Sequence, residues 1–323
     1  MQTSTAVVTK CRICLAVARH KGFKAREMMF GLKDQFDYFE CESCGSILIY
    51  EMPPDLARYY GSGYYSFKKD RPWLAYAKHA WAEYSYGKMN ITGRLVASVL
   101  GVHQGVRAVA KAKVTKDSTI LDVGCGSGEL IALLDHLGFE NLTGSDPFLS
   151  SDKETEGGSR LLKRQIQEVS GTYDLVMFNH SLEHIFDPHT EIAHAKLLLN
   201  AGGKISVRIP IAGNYAWRTY GPDWVALDAP RHLCIPSRAG LLLCATAHDL
   251  KLEQIYYESD EFMFWGSEQY KADIPLSSAA SYSSSLLKRL LPSSRIRSYR
   301  RLANKLNLSE DSDAACVIFT SRT

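Results

Sequence analysis

Thr119–Gly128, TILDVGCGSG, is a short apolar run, an aspartate, and then three glycines spaced by single residues. The run has the composition of a buried strand and the glycines that of a tight turn. Glu129–Leu137 follows with Leu130, Leu133, Leu134 and Leu137 at helical spacing. This predicts a strand, a glycine turn and a helix in succession. Such a turn presents backbone N–H groups at a helix start, and Gly124, Gly126 and Gly128 carry no Cβ to hold a ligand off the main chain.

A dinucleotide fingerprint begins in the same way but reads GxGxxG/A, with a small residue in sixth place for close packing of helix on strand. Here Glu129 takes that place. Asp122 stands beside the turn, where its charge repels a pyrophosphate and attracts a sulfonium or ammonium group. Asn141–Pro147 (NLTGSDP) reads as a second strand ending in Asp146, eighteen residues after Gly128. A carboxylate there can accept hydrogen bonds from both hydroxyls of a ribose. The two acids favour a cationic cofactor over NAD; the plainer alternative is a cofactor-free parallel sheet with a glycine turn.

Together with Tyr173–Pro188 (YDLVMFNHSLEHIFDP), DVGCGSG and GSDP resemble, in order and spacing, the class I S-adenosylmethionine-dependent methyltransferases over residues 118–260. The resemblance implies an α/β, Rossmann-like core with a mostly parallel seven-stranded sheet whose last strand, Ala314–Ser321, is antiparallel. It implies S-adenosylmethionine as cofactor, held by Asp122, Gly124, Cys125, Gly126 and Gly128, by Asp146 and Pro147, and by Asn179 and His180 beside the methyl group. Gln165 and Ile166 fall where the family contacts adenine; an acid is common at the first position, and the Gln165 amide can still pair with the base edge.

With 323 residues and 46% hydrophobic content, the chain is long enough for a packed core with modules appended. A net charge of +3 does not point to a nucleic-acid partner. No apolar run reaches the roughly 18 residues of a membrane span, and Met1–Lys10 lacks the apolar stretch of a signal peptide. A cytoplasmic protein is expected.

Cys11-Arg-Ile-Cys14 and Cys41-Glu-Ser-Cys44 are two CxxC knuckles separated by 26 residues. This spacing suits one tetrahedral zinc, and four thiolates close its coordination shell, so the ion is expected to be structural. A redox pair is the weaker alternative, because no βαβ unit surrounds either knuckle. Residues 1–52 read as a zinc-binding ribbon, 53–117 as a tyrosine-rich connection and helical cap, and 118–323 as the methyltransferase core with an insertion over 261–313. Cys125, Cys234, Cys244 and Cys316 read as ordinary thiols.

Zinc-ribbon methyltransferases that modify sugars carry a tyrosine-containing segment before the core, which the stretch Leu56–Phe67 resembles; Tyr64 and Tyr65 are the expected lining residues. Ile211–Pro236 (IAGNYAWRTYGPDWVALDAPRHLCIP) is long and aromatic for a connection inside a domain. Trp217, Tyr220 and Trp224 either border an acceptor pocket, covering the apolar face of a sugar, or anchor the loop to the core. His232 matches the place of a functional histidine in the nucleotide-sugar C-methylating members, which have a glutamate where this chain has Arg231. That departure favours O-methylation, with His232 as base, Asp228 orienting it, Arg231 holding a phosphate or carboxylate of the acceptor, and His180 as the second candidate base. Leu286–Leu306 holds seven Lys or Arg and no acid; it reads as a lid helix or as a segment lying on an anionic membrane surface.

The expected acceptor is a small molecule or glycan: a nucleotide-linked sugar or a bacterial surface polysaccharide. An RNA methyltransferase, a methyltransferase of a non-sugar metabolite and a non-catalytic cofactor-binding module are the other classes.

Overall fold

The N-terminal strands β1 (Ala6–Lys10), β2 (Val17–Arg26), β3 (Gln35–Glu40) and β4 (Ile47–Ile49) pair antiparallel in sequence order. Each CxxC knuckle closes with a tight turn, Leu15 N–H to Cys11 O at 2.9 Å and Gly45 N–H to Cys41 O at 2.7 Å. Gly45 has φ +74°, which a side chain disfavours. The computed structural model describes residues 6–60, 75–284 and 292–322. This ribbon is not closed on itself. Its fifth strand is supplied from far along the chain by β11 (Cys234–Ile235), antiparallel to β4. The boundary expected at residue 52 is therefore bridged by the loop after the fifth core strand.

Helices α1 (Ala75–Tyr86), α2 (Ile91–Leu100) and α3 (Gln104–Ala112) follow. Asn90 and His103 cap α2 and α3 by accepting a backbone N–H three residues on. Ala82, Val106 and Val109 pack against Ile120 and Leu175, so these helices cover the core sheet where the sequence places a cap.

The core sheet has eight strands in place of the expected seven. From one edge to the other they are β12 (Leu250–Tyr257), β13 (Ala314–Ser321), β10 (Leu199–Pro210), β9 (Tyr173–Asn179), β5 (Thr119–Val123), β6 (Asn141–Ser145), β8 (Arg160–Leu162) and β7 (Lys153–Glu154). The additional strand is the two-residue β7, antiparallel to β8 within a polar stretch that reads as loop. Strands β10, β9, β5, β6 and β8 are parallel neighbours, and β13 runs antiparallel to both β10 and β12. The central strands are buried on both faces, which is why their sequences are continuous apolar runs and not alternating ones. Among the described residues no helix is long and apolar enough to cross a membrane.

Candidate active site

Strand β5 stops at Gly124, and helix α4 (Glu129–His136) starts after Gly128; Gly124, Gly126 and Gly128 have φ of +76°, +56° and +88°. A Cβ on Gly124 would lie 2.4 Å from Ser181 Cβ, and one on Gly128 would lie 2.4 Å from Leu161 Cδ1. Two of the three glycines are thus demanded by packing against the exits of neighbouring strands, as well as by backbone angle. The Cys125 thiol packs over Gly144, where a Cβ would meet Sγ at 2.7 Å, and burial pushes this thiol up.

Two carboxylates flank the turn. Asp146, at the end of β6, accepts the Gly126 N–H at 2.9 Å and the Phe148 N–H at 2.8 Å, tying the turn to the second strand. Asp122 is buried in β5 and accepts the Asn179 side-chain N–H at 2.8 Å. Burial pushes the Asp122 carboxyl up to about 7, against the opposing pull of Asn179 and Arg208. Pro147 is exposed beside Asp146. Of the expected adenine pair, Gln165 is exposed, but Ile166 is buried in the core and offers no side-chain surface. No basic side chain belongs to the turn itself. The donor set suits a cationic cofactor.

Immediately after β9, His180 takes a left-handed conformation, φ +52°. Its Nδ1 is 3.1 Å from Glu183 Oε1 and its Nε2 is 3.3 Å from Arg208 Nη2. A guanidinium only donates, so Nε2 is the accepting nitrogen and Nδ1–H faces the carboxylate. Glu183 is fully buried; burial opposes its ionisation, but the hydrogen bond from His180 and the nearby His232 and His184 hold it down at about 2. Arg208, in β10, donates from Nε to Glu258 Oε1 at 2.6 Å and reaches Asn179 Oδ1 at 3.4 Å. Asp122, Asn179, Arg208, His180 and Glu183 therefore form one connected group at the C-terminal ends of β5, β9 and β10.

Glu258 leads from this group to a cavity of about 360 Å³. Its walls include the end of α2, Gln104, Glu258, Asp260, Glu261 and, from the helix Ser294–Leu308, Arg300 and Asn304. Glu258 Oε2 is buried with no hydrogen-bond partner among the described residues. The described part of the basic insertion thus contributes Arg300, Asn304 and Asn307 to the wall of this cavity. Arg208, Glu183 and Glu258 escaped the reading of the sequence. The available signal for Arg208 was a lone charge inside the apolar strand segment Ile205–Ile209.

The long loop behaves differently from its expected role. Trp224 is fully buried with Nε1 donating to Asp313 at 2.9 Å; Trp217 packs on Phe23, ring centroids 5.1 Å apart, and donates to Glu40 at 3.3 Å; the Tyr220 hydroxyl donates to Glu268 at 3.2 Å. None of the three lines the cavity. They clamp the loop between the ribbon and the insertion because large rings bury most area where two modules meet. Arg231 is likewise not a surface anchor for an acceptor. Fully enclosed, it holds Asp228 through Nε at 2.9 Å and Nη2 at 2.5 Å, Glu27 at 3.0 Å and the Tyr59 carbonyl at 3.0 Å. With both oxygens of Asp228 engaged by Arg231, Asp228 does not orient His232, whose Nε2 is 3.9 Å away. His232 is 7% exposed, donates from Nδ1 to the Ala226 carbonyl at 2.8 Å, and is lowered to about 4 by burial and then by His184. The His232 ring is thus enclosed, apart from the cavity, and not presented to an acceptor as the expected base would be. Tyr64 and Tyr65 lie outside the described residues.

The four knuckle sulfurs lie within 4.8 Å of one another, with Cys11–Cys44 at 3.8 Å and Cys14–Cys41 at 3.7 Å. Zinc–sulfur bonds of about 2.3 Å in a tetrahedron put sulfurs about 3.8 Å apart. The residues fit such an ion.

A family profile described as a methyltransferase domain matches residues 103–255. No curated protein matches the chain significantly. Similar solved structures include the cyclopropane synthase MmaA2 from Mycobacterium tuberculosis, at 14% identity over 68% of this chain and 84% of that one, with a TM-score of 0.45. They also include the magnesium protoporphyrin IX methyltransferase ChlM from Synechocystis PCC 6803 with bound SAH, at 12% identity over 78% and 97%, TM-score 0.42. The YcgJ protein from Bacillus subtilis aligns at 13% identity over 68% and 99%, TM-score 0.44. Identities and TM-scores this low say nothing about the acceptor. The profile spans the glycine turn, both flanking acids and the His180 group, and this part of the chain is a methyltransferase domain.

Proposed function

We propose that the protein transfers the methyl group of S-adenosylmethionine to a hydroxyl of a sugar, with His180 as the base and a structural zinc in the Cys11, Cys14, Cys41 and Cys44 site. The observation that carries this reading is the path from His180, which does not itself line the cavity, through Arg208 and Glu258 to a cavity whose walls combine amide and charged side chains with the apolar end of α2. Such walls match an acceptor with many hydroxyls better than a flat aromatic metabolite. In this reading Asp146 holds the ribose, Gln165 the adenine edge, and Asp122 and Asn179 the charged end of the cofactor.

The cofactor supplies an activated methyl group. With that group held beside Asp122 and Asn179, His180 Nε2, once released by Arg208, would take the hydroxyl proton of the acceptor, and Glu183 would steady the resulting imidazolium. Alignment by the enclosing walls supplies most of the remaining acceleration. The test is turnover with labelled cofactor across nucleotide sugars, RNA and aromatic alcohols. Label on a sugar oxygen is expected, and Asn304→Ala should raise the acceptor KM severalfold without changing affinity for S-adenosylhomocysteine. Label on RNA or on a non-sugar metabolite, with sugars untouched, overturns the assignment.

Asp122 gives a pH prediction. Its deprotonation near pH 7 adds negative charge beside a cationic ligand, so calorimetric affinity for S-adenosylmethionine should rise from about pH 6 to about pH 8, and Asp122→Asn should flatten that rise. Ligand-free stability runs the other way. The folded carboxyl is raised above its unfolded value near 4, so the contribution of its protonated form is lost as pH climbs through about 7. An affinity independent of pH in the wild type would detach Asp122 from the cofactor.

A further inference from the structure

Glu183, His184 and His232 each present a ligand atom, and these atoms lie within 4.8 Å of one another. We propose that they form a second metal site, distinct from the four cysteines, which binds a divalent transition-metal ion through two imidazoles and one carboxylate.

Three observations converge on it. His232 Nδ1 donates to the Ala226 carbonyl at 2.8 Å, which leaves its Nε2 with the lone pair; His184 Nδ1 lies 3.0 Å from the Arg231 carbonyl and 3.1 Å from the Tyr60 hydroxyl, and with its proton on the carbonyl side its Nε2 is open in the same way. A carbonyl partner on the far nitrogen is the usual outer support of a metal-bound histidine. Glu183 is fully buried with Oε1 committed to His180, while Oε2 has no partner among the described residues. An orphaned carboxylate oxygen in the interior is costly unless an ion or donor completes it. Charge is the third. Arg231 pairs with two enclosed carboxylates, Glu27 and Asp228, while the buried Glu183 has its ion-pair contact with the His180 imidazole and not with a guanidinium. A divalent ion supplies the balance that buried charge requires.

A tetrahedral shell with bonds of about 2.1 Å places donors about 3.4 Å apart, so the three side chains tighten around the ion without a change of fold. Asp228 stays with Arg231 and is not a ligand. Three protein ligands leave open positions, the pattern of catalytic and not of structural sites, and two imidazoles with a carboxylate select zinc, iron(II), cobalt or manganese over calcium. The site stands whether or not the acceptor is a sugar.

Cobalt(II) titration of the untagged full-length protein distinguishes the two sites, because only the cysteine site gives intense thiolate-to-metal charge-transfer absorption. Two equivalents are expected, the second adding only weak ligand-field bands. His232→Ala and Glu183→Gln should each lose the second equivalent and keep the thiolate signal of the first, which also reports that the ribbon is folded. A wild type that takes up no ion lacking the thiolate signature overturns the proposal, as do variants that both retain the second equivalent. If a variant does not fold, the wild-type count decides.

Discussion

His180→Ala is expected to lower turnover by roughly 100-fold or more, the usual size for removal of a general base, while affinity for S-adenosylhomocysteine changes little. His180 sits at the C-terminal end of β9 beside Asn179 and Asp122, with its side chain 40% exposed, whereas His232 is enclosed and held at about 4. The Glu183 carboxylate behind Nδ1 leaves Nε2 as the working nitrogen, and its contact among the described residues is the Arg208 N–H at 3.3 Å, which an acceptor hydroxyl has to displace. The loss should therefore fall on kcat and not on the acceptor KM, and added imidazole should restore part of the rate. Arg208→Lys gives the matching control. A lysine cannot hold Asn179, His180 and Glu258 with one planar fork, so it should disturb the acceptor KM together with kcat. Unchanged kcat in His180→Ala would remove it as the base.

Much of this was legible because it is local. The strand, glycine turn and helix around TILDVGCGSG, the acid eighteen residues later, and a strand at Ala314–Ser321 each follow from composition within a short window, while the antiparallel direction of that last strand was implied by the family resemblance. Asp146 was readable from its own short motif, although its hydrogen bond to the Gly126 N–H joins residues twenty apart. What escaped was long-range. Arg231 looks like an exposed anchor for an anion until Glu27, 204 residues earlier, is found against its guanidinium. Trp224 looks like a sugar platform until Asp313 takes its indole N–H. In both cases the type of side chain was informative and its partner was not, since a loop with aromatic and charged residues has the same composition whether it lines a pocket or is folded under another module. Glu183 was hidden differently. Beside His184 it reads as one more polar residue of a loop, and only its complete burial exposes it as a centre of the site.

Metal removal from the cysteine site should have the largest effect on stability, because structural zinc contributes on the order of 10 kcal/mol to small folds of this kind. The ribbon's own sheet is thin on one side, where β4 is three residues long and its neighbour β11 is two residues donated by a distant loop, and its other hold is the packing of Ile13, Phe39 and Leu48 on the core. The consequence should not stop at the ribbon. Arg12, inside the first knuckle, donates to the Phe186 carbonyl at 2.9 Å, to Ile49 at 2.8 Å and to Leu233 at 3.2 Å, with its guanidinium 3.8 Å over the Phe186 ring. The Tyr38 hydroxyl holds the His232 carbonyl at 2.9 Å, and His189 holds the Ile13 carbonyl at 2.9 Å. The knuckle thus braces the loops that carry Glu183, His184 and His232. Chelation, or Cys41→Ser, is expected to abolish hydrogen-exchange protection over residues 8–52 and to weaken it at 182–187 and 231–235, while the glycine turn and its two acids keep their protection. Turnover should fall further than cofactor affinity, since the base and its supporting carboxylate lie on the braced side and Asp146 does not. Retained protection in the ribbon after complete metal removal would show that the four cysteines are not its structural centre, and loss confined to the ribbon would separate it from the chemistry.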